Sequence, residues 1–254
     1  MAKIIAVANQ KGGVGKTTTA VNLSACLADK GKRVLLADMD PQGNATSGLG
    51  KADAEGNTIY DVLLGEAAAA DAVLPTGYGT LDLLPTAIEL AGAEIELVGM
   101  DDRETLLRRA LEPLRARYDY ILIDCPPSLS LLTINALTAA DSVLIPIQCE
   151  YYALEGLGPL MNTVKLMRRK LNPDLSIEGK LLTMFDARTN LCAQVVQEVR
   201  AHFPDEVFET MIPRNIRLSE APSYGRPIHL YDARCIGARA YGELADELIH
   251  RSEV

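Results

Sequence analysis

The stretch IIAVANQKGGVGKTTTA, residues 4–20, constrains this chain more than any other. An apolar run ends in a loop carrying Gly12, Gly13 and Gly15, and a helical pattern follows over Lys16–Lys30. Strand, glycine-rich loop and helix, in that order, make a cradle for phosphate. Glycines let backbone N–H groups turn inward with no Cβ in the way, and the helix aims its positive end at the same anion. Gly12, Gly13, Val14, Gly15, Lys16, Thr17 and Thr18 are therefore the expected nucleotide-binding residues. Lys16 is placed to reach the terminal phosphates and the Thr17 hydroxyl to ligate Mg²⁺. The front of the loop departs from the G-x-x-x-x-G-K-[ST] pattern. Gln10 stands where glycine is usual, and a second lysine, Lys11, comes next.

Two acidic segments fit the same chemistry. LLADMDPQGN sets Asp38 and Asp40 at a strand end, two residues apart and so on one face. ILIDCPPS sets Asp124 at another strand end. Carboxylates there can support a magnesium–phosphate centre directly or through bound water.

Short β-rich runs alternate with longer helical patterns along the chain. Strands are expected at Lys3–Ala8, Arg33–Asp38, Thr80–Pro85, Tyr118–Asp124, Ser142–Ile147, Lys180–Phe185, Val207–Ile212 and Pro227–Leu230. Helices are expected at Lys16–Lys30, Asp102–Arg117, Leu129–Ala139, Leu154–Leu171 and Asn190–His202, with a surface helix in the Ala-rich 66–72 segment. Near-continuous apolar strands such as VLLAD and YILID suit a parallel sheet covered on both faces. The expected fold class is α/β: a single-domain P-loop NTPase over residues 1–254, with a doubly wound, mostly parallel sheet.

Composition narrows the setting. No run of 18 apolar residues suggests a membrane span, and MAKIIAVANQ does not read as a signal peptide. Cysteines 26, 125, 149, 192 and 235 are scattered, without a C-x-x-C pair, which suits a reducing cytosol. A formal net charge of −9 argues against a chain coated by nucleic acid, but charges act over only about 10 Å in salt, so a local basic patch remains compatible.

KGGVGKTTT, DMDPQGN, IDCPPS, DARTN and IPRNIRLSEAPSYGRPI together resemble the ParA/Soj branch of the ParA–MinD ATPases, which carry a deviant Walker motif. The likeness runs over nearly the whole chain. It implies an ATP-dependent homodimer that partitions replicated chromosomes or plasmids, with ATP and Mg²⁺ as cofactors and a cytoplasmic, nucleoid-associated location. By the same resemblance, Lys11 reaches across the dimer to the partner's phosphates, as an arginine finger does. Asp40 polarises the attacking water, and Asp38 and Asp124 support Mg²⁺, their relative closeness to the metal left open. Pro213 and Asn215, in MIPRN, fall in the segment that makes the adenine pocket. Arg188 and Arg217 match positions that bind double-stranded DNA nonspecifically, and a ParB-type, centromere-bound partner accelerates hydrolysis.

Other classes fit less well. Lys165, Arg168, Arg169 and Lys170 form a second basic cluster, which also complements the negative end of its own helix. A MinD-like membrane-surface ATPase shares the loop but ends in a basic amphipathic helix. Here the tail YGELADELIHRSEV is acidic and poorly matched to anionic lipid. Iron–sulfur relatives need paired, loop-borne cysteines, which the spacing does not offer. The short segment before the phosphate loop leaves no expectation of a preceding helix-turn-helix domain.

Overall fold

The computed structural model describes residues 1–150 and 157–253. Its strands are β1 (Lys3–Val7), β2 (Val34–Asp38), β3 (Leu74–Tyr78), β4 (Leu81–Leu84), β5 (Tyr120–Asp124), β6 (Ser142–Gln148) and β7 (Ser176–Thr183). Its helices run α1 (Lys16–Asp29), α2 (Asn44–Gly48), α3 (Ile59–Leu64), α4 (Ala69–Ala72), α5 (Leu90–Leu97) and α6 (Leu106–Leu111). They continue α7 (Leu131–Ala139), α8 (Leu157–Lys170), α9 (Asn190–His202), α10 (Ile216–Glu220), α11 (Ile228–Tyr231) and α12 (Ile236–Glu253).

The strands form one seven-stranded sheet in the order β3-β4-β2-β5-β1-β6-β7. Every pairing is parallel except the β3–β4 hairpin. Side chains alternate across the central strands and feed two cores. Ile4, Ala6, Leu35, Ala37, Ile121 and Ile123 pack on one face, and Ile5, Val7, Val34, Leu36 and Leu122 on the other. This double burial explains the near-continuous apolar runs, because a strand covered on both sides has no solvent face to mark with polar residues. α1 and α12 cover the second face, where Leu23, Leu27, Leu244 and Leu248 meet. The carboxyl ends of β1, β2 and β5 open on one edge, where open α/β sheets bind ligands.

Several expectations need correction. Val207–Ile212 is not a strand; it runs beside β7, with an isolated bridge at Lys180–Val207, an Ile212 N–H donated to the Leu182 carbonyl at 2.9 Å and a further bridge just beyond, at Phe185–Pro213. Its ladder is interrupted because the N–H groups of Glu209 and Thr210 donate to the Glu247 carboxylate on α12, at 2.8 and 2.9 Å. Pro227–Leu230 is helical: Pro227 precedes α11, and the Ile228 N–H donates to Asn22 on α1 rather than to a strand. The Asp102–Arg117 helix shrinks to α6 and a single 3-10 turn, Glu112–Leu114, where Pro113 cannot supply the helical N–H. Strand β3 and helix α5 had no expectation; Pro75 and Gly77 hide the strand signal. The expected Leu154–Leu171 helix is present from Leu157, its first residues lying outside those described.

Candidate active site

The loop after β1 is held from behind and open in front. The Asn9 side chain donates to the Pro146 carbonyl at 2.7 Å and accepts from the Lys11 N–H at 3.0 Å. Val14 turns its side chain into the core, and its carbonyl accepts from the Thr183 hydroxyl at 2.9 Å. Gly13 and Gly15 have φ of 73° and 89°, the left-handed region that glycine adopts without strain. A Cβ on Gly12 or Gly13 would meet nothing within 4 Å, so the inner face of the loop is free to receive a ligand. Gly12, Gly13, Lys16, Thr17, Thr18 and Asp40 line a cleft of about 360 Å³ there. Lys16 is buried, and its ammonium donates to the Lys11 carbonyl at 3.2 Å. Burial lowers its pKa, opposed chiefly by the charge of Asp124. An ammonium held dry in this way gains most from an incoming phosphate.

The carboxylates stand behind the loop on neighbouring strands. Asp38 and Asp124 are register partners at the carboxyl ends of β2 and β5, and both are fully buried. Their bonding differs sharply. Asp38 accepts from the Thr46 N–H and hydroxyl, each at 2.8 Å, and from the Asp40 N–H at 3.2 Å. Asp124 has no hydrogen-bond partner on either oxygen among the described residues. Burial pushes Asp38 up to about 6, with the Thr46 bonds pulling the other way. Burial, and then the Asp38 charge, hold Asp124 well above the carboxylate range; the Thr17 hydroxyl draws it down slightly but makes no bond of normal geometry. A buried carboxyl with neither oxygen satisfied is costly unless a cation or donor arrives, so Asp124 fits a bound magnesium ion. Among the described residues no three His, Cys, Asp or Glu groups converge to hold a metal unaided, so phosphate and Thr17 oxygens must complete the set. Asp40 sits at the cleft wall, its Oδ1 accepting from the Gln42 N–H at 3.0 Å.

Lys11 points elsewhere. Its side chain lies outside the cleft lining, and its ammonium is 3.7 Å from Glu150 Oε2. Glu150 also faces Arg214, at 3.9 Å, and accepts from Gln148. The two lysines of the loop thus have separate surroundings, Lys16 buried in the cleft and Lys11 on its outer rim.

A family model described as an AAA domain matches residues 2–177. The chain is 64% identical over 250 residues to the sporulation initiation inhibitor protein Soj of Bacillus subtilis (strain 168), covering 98% of each chain. It is 58% identical over 250 residues to the chromosome partitioning protein ParA of Myxococcus xanthus (strain DK1622), covering 98% of this chain and 88% of that one. The chain belongs to the ParA/Soj family of P-loop ATPases. A solved structure, cobyrinic acid a,c-diamide synthase from Mycobacterium smegmatis with bound ADP and magnesium, superposes with a TM-score of 0.88 at 40% identity, covering 100% of this chain and 96% of that one.

Beside the phosphate cleft, this ParA/Soj-family chain has a second cavity of about 240 Å³, lined by Gly15, Thr18, Met184, Pro213, Asn215 and Tyr241, among others. Pro213 and Asn215 therefore line a cavity that shares Gly15, Thr18 and Met184 with the phosphate cleft. Asn215 also caps α10, its side-chain oxygen accepting from the Arg217 N–H at 2.8 Å, and its amide N–H₂ donates to no group among the described residues. The two segments carrying Arg188 and Arg217 run side by side, joined by the Arg214 N–H donating to the Phe185 carbonyl at 3.0 Å. Both arginines are exposed and both meet carboxylates. Arg188, 86% exposed, makes a forked contact with Asp186 at 2.9 and 2.7 Å. Arg217 meets Glu220 at 2.8 Å and Asp232 at 3.5 Å.

Sequence reasoning missed Glu150, Met184 and Thr183. Glu150 follows a strand with no motif to mark it. Met184 lines both cavities and has φ 52°, a left-handed conformation uncommon for a residue with a Cβ. No sequence signal reveals such a backbone angle.

Proposed function

We propose that this chain is a single ATPase domain, residues 1–254, that dimerises when it binds ATP, holds double-stranded DNA without sequence preference, and partitions replicated chromosomes or plasmids. A ParB-type, centromere-bound partner accelerates its hydrolysis, and the protein works in the cytoplasm on the nucleoid. The observation that carries this reading is the separation of the two loop lysines, Lys16 in its own cleft and Lys11 outside it against Glu150. A lysine that does not face its own phosphates is available to a second copy's. The names of the similar Bacillus and Myxococcus proteins support the partitioning role.

When bound, magnesium neutralises charge developing on the terminal phosphates. The chain's residues do the rest. Loop N–H groups of Gly12 to Thr18 cradle the phosphates, and Lys16 exchanges its bond to the Lys11 carbonyl for a phosphate oxygen. Thr17 and Asp124, which has no hydrogen-bond partner among the described residues, would hold the ion, while Asp38, committed to Thr46, fixes the Asp40 segment in register. Asp40, with one oxygen engaged by Gln42, uses the other to orient the attacking water and accept its proton. Lys11 of each copy places its ammonium on the other's phosphates, which makes ATP itself part of the interface. Pro213 and Asn215 receive the base.

A MinD-like membrane role finds no support in the last helix. α12 buries Tyr241, Leu244, Ala245 and Leu248 against the α1 face of the sheet, so its apolar stripe is already used. No helix among the described residues is long and apolar enough to cross a membrane. The test is ATP turnover with DNA and a candidate ParB-type protein, added singly and together. Synergy of the two supports the reading; turnover indifferent to both overturns it.

A further inference from the structure

We propose that the outward face of α5 is a docking surface for a protein segment that folds as a basic amphipathic helix. The inference does not rest on the partitioning role, and none of the residues that carry it lines the phosphate cleft.

α5 buries Leu90, Ala93 and Leu97 in the core, the spacing of a helix packed by one face. Its opposite face is apolar too. The helical turn begins at Ile88, whose carbonyl accepts from the Ala91 N–H at 3.1 Å, and Val98 keeps helical backbone angles at the other end. Ile88, Ala91, Ile95 and Val98 therefore recur at helical spacing along one outward stripe. Ile88 is 70% exposed, Ile95 81% and Val98 60%. Single apolar residues are ordinary on a protein surface, but three large ones aligned on one helix face mark a contact surface. Just past the stripe, Met100 and Asp101 join residues of α3, α4 and α6 in lining a mainly apolar cavity of about 630 Å³. That recess can take a side chain of the docked segment.

Charge selects the occupant. Residues 88–102 carry Glu89, Glu94, Glu96, Asp101 and Asp102 and no lysine, arginine or histidine. By helical spacing Glu89 and Glu96 border the stripe on one side and Glu94 on the other. Glu96 accepts from the Tyr60 hydroxyl at 3.1 and 3.2 Å. Among the described residues, none of the five carboxylates meets a basic nitrogen within 4.0 Å. The next cation along the chain, Arg103, is matched by Glu104 at 3.2 Å. A face bordered in this way repels nucleic-acid phosphate and anionic lipid headgroups. A second copy meeting it about a twofold axis would set the same carboxylates against one another. What fits is a helix with an apolar stripe of its own laid along Ile88, Ile95 and Val98. Lysines or arginines on both its flanks then reach the carboxylates.

The experiment titrates the full chain, without nucleotide, with a synthetic leucine–lysine peptide of about 18 residues whose leucines recur at i, i+3, i+4 and i+7. Two control peptides carry the same lysines, one with the leucines scattered off any single face and one with serine in their place. The protein variants are Ile88→Ser with Ile95→Ser, Glu89→Gln with Glu96→Gln, and Glu243→Gln on α12 as a distant acidic control. The amphipathic peptide is expected to bind the wild type at least about tenfold more tightly than either control peptide. The isoleucine pair is expected to weaken it about tenfold or more, as loss of buried apolar contact does. The glutamate pair is expected to weaken it at low salt and to flatten its salt dependence, and Glu243→Gln to change neither. All five substituted side chains are exposed, so thermal midpoints and ATP turnover without peptide are expected to match wild type. Equal binding of the three peptides, or of the amphipathic one to wild type and the isoleucine pair, overturns the proposal and leaves only an acidic surface. Light scattering tests the second copy: a wild-type dimer, with or without ATP, that the isoleucine pair dissociates would assign the stripe to self-association and overturn the proposal as well.

Discussion

Lys11 and Glu150 form an ion pair at 3.7 Å beside the phosphate loop, and the loop's extra cation lies outside the lining of its own cleft. The pair is partly exposed, so it contributes little to stability, about 1 kcal/mol at most. Lys11→Ala is therefore expected to fold normally and to bind ATP as a monomer with little change, while ATP-dependent dimerisation and turnover disappear. Light scattering with and without ATP, beside a nucleotide-binding titration, checks both halves. Normal dimerisation of the variant would remove the proposed role in trans.

Asp40 offers the complementary case. It lines the cleft, and among the described residues its side chain bonds only within its own segment, to the Gln42 N–H. Asp40→Ala is expected to keep ATP binding and dimerisation while turnover falls by about 10²-fold or more, the usual range for losing a proton acceptor. The readout is a long-lived ATP-bound dimer. Rapid hydrolysis by this variant would refute the assignment.

The buried carboxyl pair makes a pH prediction. Asp38 is raised from its unfolded value near 3.8 to about 6, and Asp124 is also raised well above 3.8, by burial and then by the Asp38 charge. Between the unfolded and folded values the native state holds more protons, so its stability falls as pH rises through this window. The contribution is complete below the unfolded value and is lost above the folded one. In the absence of nucleotide, Asp124→Asn is expected to raise the thermal midpoint at about pH 7.5 by a few degrees, and the advantage to shrink at about pH 5.5. Magnesium and protons compete for the same Asp124 carboxylate, so magnesium-dependent nucleotide binding weakens as pH falls. A variant midpoint that tracks wild type at every pH would contradict this account.

Arg188 is held by its neighbour rather than free for a phosphate. The fork onto Asp186, through its hydrogen bonds to Arg188, draws that carboxyl down to about 2. Asp186→Asn removes the competing charge and is expected to strengthen ATP-dependent DNA binding several-fold, whereas Arg188→Glu abolishes it. Equilibrium binding to a random-sequence duplex distinguishes the two directions.

Gly50 and Gly225 bring two backbones together. A Cβ on Gly225 would lie 2.6 Å from Gly50 Cα, and the Gly225 carbonyl accepts from the Tyr78 hydroxyl at 2.8 Å. Gly225 also has φ 61°, so alanine is opposed both by the clash and by its backbone angle. Gly225→Ala is expected to cost about 2 kcal/mol or more, seen as a lower denaturant midpoint. Because this close approach ties the segment after α2 to the turn before α11, nucleotide affinity is expected to fall with it.

Much of the site is legible in the sequence because its chemistry is local. Lys16, Thr17 and the glycines work through one strand, one loop and one helix in direct succession, so their spacing carries their role. Asp38 and Asp124 are legible as strand-end carboxylates, but spacing does not separate them. Only the fold shows that Thr46 satisfies one and that, among the described residues, nothing satisfies the other. Val207–Ile212 has the composition of a strand, yet Glu247, almost forty residues away, takes its N–H groups. Pro227–Leu230 misleads because a short apolar run does not distinguish a strand from one helical turn.

By itself, then, the sequence determined the α/β class, the phosphate loop and its spare lysine, and the acidic strand ends. Each of these rests on residues within a few positions of one another or on the period of a single element. The tertiary structure alone decided that Lys11 turns to Glu150 while Lys16 lies buried in the cleft, that Asp124 has no hydrogen-bond partner among the described residues, and that Arg217 faces both Glu220 and Asp232. Those facts depend on which groups are left without partners once distant segments pack, and burial and charge pairing are properties of the folded neighbourhood rather than of the chain's order.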